Sequence, residues 1–446
     1  MINLFDDNDS SVQVGYSFDS SLSGLEMDVV KNRVREEEHP ITDIGVGGSV
    51  LTSPIAFNGS VYFGSCDENF YSVDAETGKK NWSFPTKGPI NGSPTLDNGI
   101  LYFGSYDHNL YALTLNGELL WKFPTKGNIF SRPCVYNGIV YFGSYDHNLY
   151  ALNAKTGKEF WRFSTNNKIS SWPVVHNNTI YFGSNDYNFY ALNLNGSLKW
   201  RFQTNKEAGI FNAIIYNDIV YFGSFDRNIY AVKSDTGKLV WRFHLSEFPN
   251  TVIARKDNIL IFGSRDCNFY GVSTEGKLIW RFPTDTSPGG GISIYWSTAY
   301  LNGGNNNLYA LDSETGRLIW RFYAGGPVAH TNPCLYKDRL YFGSHDCNLY
   351  CITKNGSLEW KFKTSLSYVA PFFLESEQKK SAEIMLETQW DVQEMPKKAY
   401  KKEELGSYGD FKGQYIGEDM RDYIGSEVKD GVPGLKYKTG KGVYRK

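Results

Sequence analysis

The chain has 446 residues, with 46 Lys and Arg against 48 Asp and Glu, a net charge of −2 and 16% aromatic side chains. That balance gives no reason to expect nucleic acid as a partner, and no apolar run approaches the eighteen residues of a membrane-spanning helix. The 44 glycines, beside 31 Tyr, 29 Phe and 11 Trp, point to a turn-rich β protein with aromatic cores.

Residues 1–43 read as an acidic arm, with ten Asp or Glu against three Lys or Arg. The opening "MINLFDDNDSS" lacks the basic and apolar regions of a secretory leader. With six cysteines and no such leader, the expectation is reduced thiols in a cytoplasmic protein.

From about residue 50 to 363 the chain repeats itself. "YFGSYDHNLYAL" stands at 102–113 and again at 141–152, and variants begin at 62, 181, 221, 261, 300 and 341. The eight copies are spaced 40, 39, 40, 40, 40, 39 and 41 residues apart. A second marker keeps step: Trp82, Trp121, Trp161, Trp200, Trp241, Trp280, Trp320 and Trp360, each followed after one residue by Phe. Such a period means an array of one supersecondary unit. Within one repeat, "SRPCVYN", "GIVYFGS", "NLYALN" and "GKEFWRF" have the β-branched and aromatic bias of strands. The turn signals Asn137-Gly138, "GSYD" and Thr156-Gly157 separate them. Four antiparallel strands, eight times over, predict an all-β, eight-bladed β-propeller over residues 44–377. "SYVAPFFLES" (367–376) resembles the first strand of a ninth repeat and is a candidate for closing the ring.

The stretch Ala151–Trp161, "ALNAKTGKEFW", is similar to the tryptophan-docking motif of PQQ-type, quinoprotein-like propeller repeats. Ser72–Trp82, Ala231–Trp241 and Ala310–Trp320 match it closely, and the other four repeats shorten it by one residue. The resemblance implies the propeller fold and a structural role for the eight tryptophans. It leaves chemistry open, since dehydrogenases, assembly scaffolds and sensor domains share the repeat. The family includes a periplasmic outer-membrane assembly lipoprotein, from which this chain departs by lacking an export signal.

Asn fills the eighth place of the repeated phrase in all eight copies, and Asp the sixth in seven, Asn305 being the exception. A residue demanded in every blade serves the blade, so function is expected where the copies differ. In a four-stranded meander the second-to-third strand bends share a face with the interblade loops, and both vary here. The candidate binding residues on that face are Tyr106, His108, Arg132, Tyr145, His147, Trp172, Tyr187, Arg227 and Arg265. Arg132 and Trp172 are expected near the channel mouth, ringed by the tyrosines. Arg and Trp often dominate interfaces, so the leading expectation is a monomeric, non-catalytic scaffold with a protein partner and no membrane or nucleic acid. The alternative is a small-ligand or redox sensor using the central channel.

Quinoprotein dehydrogenases, by the same resemblance, use a carboxylate base, a calcium cluster and often adjacent cysteines. This chain has no adjacent cysteines, so neither catalysis nor a PQQ cofactor is expected. His330, Cys334, His345, Cys347 and Cys351 fall within 22 residues. Cys334 and Cys351 occupy core-like places, however, leaving His345 and Cys347 for the open face and no metal site. Residues 378–446 hold 26 charged side chains among 69, with "YIG" twice, eight residues apart. They read as a charged, extended tail that also suits linear binding segments.

Overall fold

The computed structural model describes residues 48–364 apart from Ala329, all within the first of the chain's two compact units, Met1–Lys401. The expectations for residues 1–43, 367–376 and 378–446 lie outside the described residues.

Thirty-two strands form eight separate four-stranded antiparallel sheets, each built from four consecutive strands. The first blade shows the plan: β1 (Ile55–Phe57), β2 (Ser60–Gly64), β3 (Asn69–Asp74) and β4 (Lys80–Pro85). The second and third strands of every blade are almost wholly buried, while the fourth is mostly exposed or half-buried, with buried positions only in the fourth to seventh blades. This follows from the sequence, where runs such as "VYFG" and "FYSV" are apolar on both faces and must sit between neighbouring blades. The fold is therefore the predicted eight-bladed propeller.

The last blade comprises β29 (Cys334–Tyr336), β30 (Arg339–Gly343), β31 (Asn348–Thr353) and β32 (Leu358–Lys363). It closes against the first. Val50 N–H donates to Ser344 O at 3.1 Å, Tyr341 OH to Ala75 O at 2.9 Å, and Thr364 Oγ1 to Gly48 O. Val50, Val61, Phe63 and Tyr71 share one core with Tyr341, Leu349 and Cys351. Closure buries the apolar sheet faces that an open array would leave exposed on its first and last blades.

The tryptophans join neighbours around the circle. Each docks on the third-to-fourth strand turn of the next blade, as Trp82 on Leu115, Trp121 on Ala154, Trp161 on Leu194 and Trp200 on Ser234. Nε1 donates to the backbone carbonyl at 3.0 Å in all four. The ring lies against a left-handed glycine of that turn. At Gly117, Gly157, Gly196, Gly237, Gly276, Gly316, Gly356 and Gly78 an added Cβ would stand 2.5–3.0 Å from a tryptophan ring atom of the preceding blade. Glycine is required there twice over, by its positive φ and by the indole above it. Of the eight, Trp200 and Trp280 are buried, at 8% and 3% exposure, and the other six are half-buried.

Candidate functional site: the varied face and the channel

The two faces separate by hydrogen bonding. On one, the turn after the third strand bonds the hairpin before the second, as in Ala75 N–H to Gly59 O at 2.8 Å and Ala154 N–H to Gly138 O at 2.9 Å. On the other, each second-to-third bend bonds the interblade loop preceding its blade. Cys66, Tyr106, Tyr145, Asn185, Phe225, Arg265 and His345 donate their N–H groups to Ser49, Pro89, Asn128, Lys168, Glu207, Phe248 and Pro327. Bends and interblade loops thus share one face, as expected.

The invariant residues build each bend. Asp107 Oδ1 accepts from Asn109 N–H at 3.0 Å, its Oδ2 accepts from Tyr111 OH at 2.6 Å, and the Asn109 amide donates back to Asp107 O at 2.9 Å. Oδ2 also takes the N–H of Lys87 from the interblade loop at 3.0 Å. Asp146, Asp186 and Asp226 repeat the tyrosine bond at 2.7 Å and the loop bond at 2.9–3.1 Å. Each carboxylate therefore ties bend, third strand and interblade loop together. Burial and the bonded Asp push the phenols of Tyr111, Tyr150 and Tyr190 well above the ordinary tyrosine range.

On this frame the two varied positions of each bend behave differently. The residue after Asp takes a left-handed φ: Glu68 66°, His108 68°, His147 72°, Tyr187 72°, Arg227 72°, Cys267 63° and Cys347 67°. It turns outward in most blades: Glu68, Tyr187 and Arg227 are exposed and both histidines are half-buried. The residue before Asp turns inward, and this corrects the sequence reading. Tyr106 and Tyr145 are 8% and 4% exposed and form a cluster with Phe130, their rings 6.4 Å apart. They pave the floor of the face. Lys168 caps Tyr145 with Nζ 5.2 Å above the ring, and Arg265 lies 5.1 Å above Phe248. His345 and Cys347 do not reach the open face either, at 8% and 0% exposure.

The sequence reading missed the lysines of the interblade loops. Lys87, Lys126 and Lys206 are exposed beside the bends of the second, third and fifth blades, and with Arg227 they make that sector basic. The next two loops carry Glu247 and Asp285 instead. "PTKG" at 85–88 and 124–127 was the available signal, legible as spacing but also as recurrent charge.

Arg132 and Trp172 belong to a second zone. They hold equivalent places at the entry to successive inner strands, with Ser53, Ser93, Asn212, Val252, Gly291 and Asn332 in the other blades. Ser53 and Ser93 bond through their hydroxyls at 3.0 Å, Asn332 N–H donates to Ser53 Oγ at 2.8 Å, and Asn212 pairs with the Ile253 backbone at 3.0 and 3.1 Å. These residues ring the channel rather than the surface. Trp172, 9% exposed, joins a core with Val252, Ile261 and Ile292 and meets Phe211 edge-on at 6.4 Å. Its Nε1 has no hydrogen-bond partner. Arg132 donates from Nε to Thr95 Oγ1 at 3.4 Å, and the ionisable groups facing it are Cys134, Cys334 and Tyr295, from the third, eighth and seventh blades. Burial pulls its pKa below the ordinary arginine value and pushes both thiols up.

Fold and site together define a tryptophan-docked propeller with one stereotyped and one individually varied face. The family model described as outer membrane protein assembly factor BamB matches residues 31–129, 115–257 and 270–388, and the chain belongs to this PQQ-type repeat family. Among solved structures, it is similar to BamB from Moraxella catarrhalis, with a TM-score of 0.56 at 17% identity over 66% of this chain and 91% of that one. It is also similar to the quinohemoprotein alcohol dehydrogenase from Comamonas testosteroni, with a TM-score of 0.60 at 12% identity over 78% of this chain and 80% of that one. At such identities these likenesses speak for the fold alone. Among curated proteins it is 27% identical to the tetrathionate hydrolase of Acidithiobacillus ferrooxidans over 90 residues, 20% of this chain and 18% of that one. It is 49% identical to the Mus musculus beta-alanine-activating enzyme over 37 residues, 8% of this chain and 3% of that one. The chain thus spans less than a fifth of the curated relatives it matches.

These relatives overturn one expectation. The reading of the chain as a non-enzyme does not stand, because a tetrathionate hydrolase is among the curated proteins it resembles. The fit to the PQQ cofactor is a separate matter, decided by donor chemistry. The six cysteines are free thiols with no adjacent pair, and no group of three His, Cys, Asp or Glu among the described residues is arranged to hold a metal ion. The equivalent residues ringing the channel carry one guanidinium and no carboxylate. This donor set does not match the base, calcium and paired cysteines of the dehydrogenases.

Proposed function

We propose that this propeller is a protein-binding platform, engaging its partner through the bends and interblade loops of the second to fifth blades. One observation carries the reading: around a recurrent Asp–Asn–Tyr frame, the outward residue of the bend runs Glu68, His108, His147, Tyr187 and Arg227 over the first five blades, while the opposite face keeps its turns nearly constant. His108, His147, Tyr187 and Arg227 stand side by side in blade order, above the aromatic floor of Tyr106, Phe130 and Tyr145. Lys87, Lys126 and Lys206 edge the same sector, which suits a partner presenting acidic side chains around an aromatic or aliphatic anchor. Free thiols throughout agree with a reducing compartment, the cytoplasm.

The test is capture of the partner by the full chain and by a Tyr187→Ala, Arg227→Ala double variant. Arg227 forms only an exposed 3.6 Å pair with Glu247, so the variant keeps its fold. The expected result is a loss of tenfold or more in recovered partner, with recovery unchanged for a Lys155→Ala, Lys238→Ala variant on the opposite face. Equal recovery by the first variant, or loss confined to the second, overturns the proposal.

A further inference from the structure

We propose that the central channel holds a small organic carboxylate at Arg132. The inference goes beyond the protein-binding face and does not depend on it.

Arg132 enters the channel from the start of the third blade's inner strand, and its Nε–H bonds Thr95 Oγ1 at 3.4 Å. Thr95 Oγ1 is itself committed as a donor to Pro133 O at 2.5 Å, so it serves the guanidinium only as an acceptor. Among the described residues, no group bonds the two terminal amino groups of Arg132, and no carboxylate pairs with it. The groups facing it are the thiols of Cys134 and Cys334 and the phenol of Tyr295. Both thiols are held protonated by burial, and the Tyr295 phenol is raised by the same cause and receives Leu335 N–H at 3.1 Å. None of the three supplies a negative charge at neutral pH. A guanidinium cannot shed its proton to escape such a place. A half-buried cation without a paired carboxylate lacks its natural complement, and a planar oxyanion that accepts two parallel N–H bonds matches its fork.

A second, independent feature points the same way. Trp172 occupies the equivalent place in the next blade, is 9% exposed, and its Nε1–H is buried with no acceptor. A buried indole N–H ordinarily finds an acceptor. Two adjacent blades thus carry incompletely satisfied donors at equivalent inner-strand positions.

The same inventory sets the ligand's charge and size. One guanidinium, among Ser53, Ser93, Asn212, Val252, Gly291 and Asn332, matches a monoanion and leaves a polyanion uncompensated. Trp172, Phe211 and Val252, which pack together, offer apolar surface at the same inner-strand entries. A monocarboxylate with a short apolar body satisfies both conditions.

The full chain is titrated with sodium acetate and sodium benzoate against sodium chloride at fixed ionic strength, following the melting temperature and tryptophan fluorescence. The expected result is a saturable rise of about 3 °C or more with a carboxylate. That rise is absent in Arg132→Met and Arg132→Gln. In chloride alone, Arg132→Met melts at or above the wild-type temperature, because it removes a half-buried cation that has no paired carboxylate. Circular dichroism in the aromatic region establishes that each variant is folded. Three results overturn the proposal: no saturable response to either carboxylate, an equal response in wild type and Arg132→Met, or an Arg132→Met variant clearly less stable in chloride. Loss of partner capture by Arg132→Met with no effect of free carboxylate also overturns it, assigning the guanidinium to a partner's acidic side chain instead.

Discussion

Trp200→Ala is expected to lower stability by about 3–5 kcal/mol, the range for truncating a buried large aromatic. Trp200 is 8% exposed and packs with Tyr181 and Phe189, ring centroids 5.9 and 6.3 Å away. It bonds Ser234 O in the next blade, and its ring covers Gly237. Truncation opens a cavity in the fourth blade and frees its junction with the fifth. The half-buried Trp161 is expected to cost less, and His147→Ala, at the tip of a bend, within about 1 kcal/mol. Urea denaturation of the three variants checks the ranking. A costly histidine beside a neutral Trp200 would reverse the division between frame and surface.

The second large effect is alkaline unfolding. Burial raises the phenols of Tyr102, Tyr141 and Tyr221 to about 12, with Tyr111, Tyr150, Tyr190 and Tyr230 raised further by burial and the adjoining Asp. In the unfolded chain a tyrosine ionises near pH 10. Because the folded values lie above the unfolded one, the stability they carry is complete below pH 10. It is lost as pH rises from 10 through 12, where the unfolded chain sheds protons that the folded one retains. Denaturant midpoints should stay nearly flat from pH 8 to 9.5 and fall steeply from 10 to 12. Tyr111→Phe removes one ionising group and its bond to Asp107, so it should lower stability at pH 8 while shallowing the alkaline fall. A protein equally stable at pH 8 and 11.5 would contradict the burial of these phenols.

The fold was legible because every blade repeats the same local demands. The glycine beneath each tryptophan, the Asn-Gly hairpins and the Asp–Asn bend each recur at the period of the array, so eight weak signals reinforce one another. The assignment of loops to faces was legible from meander alternation alone. What the sequence left unresolved was depth. Tyr106 and His108 flank the same Asp107, yet one paves the floor and the other rides the rim. His108 has a left-handed φ of 68° and is half-buried, while Tyr106, its N–H bonded to Pro89 O of the interblade loop, is 8% exposed. Arg132 was legible as a channel residue but its surroundings were not, because they come from blades far away in sequence. Cys334 and Tyr295 lie some 200 and 160 residues along the chain.

Hydrogen–deuterium exchange on the partner-bound full chain tests the role of the varied face most directly. The expected result is new protection in the bends at residues 104–109, 143–148, 184–188 and 224–228 and in the loops at 86–89 and 125–128. The turns at 115–117 and 155–157 on the opposite face should exchange as in the free protein. Protection confined to those turns, with the bends unchanged, would contradict it.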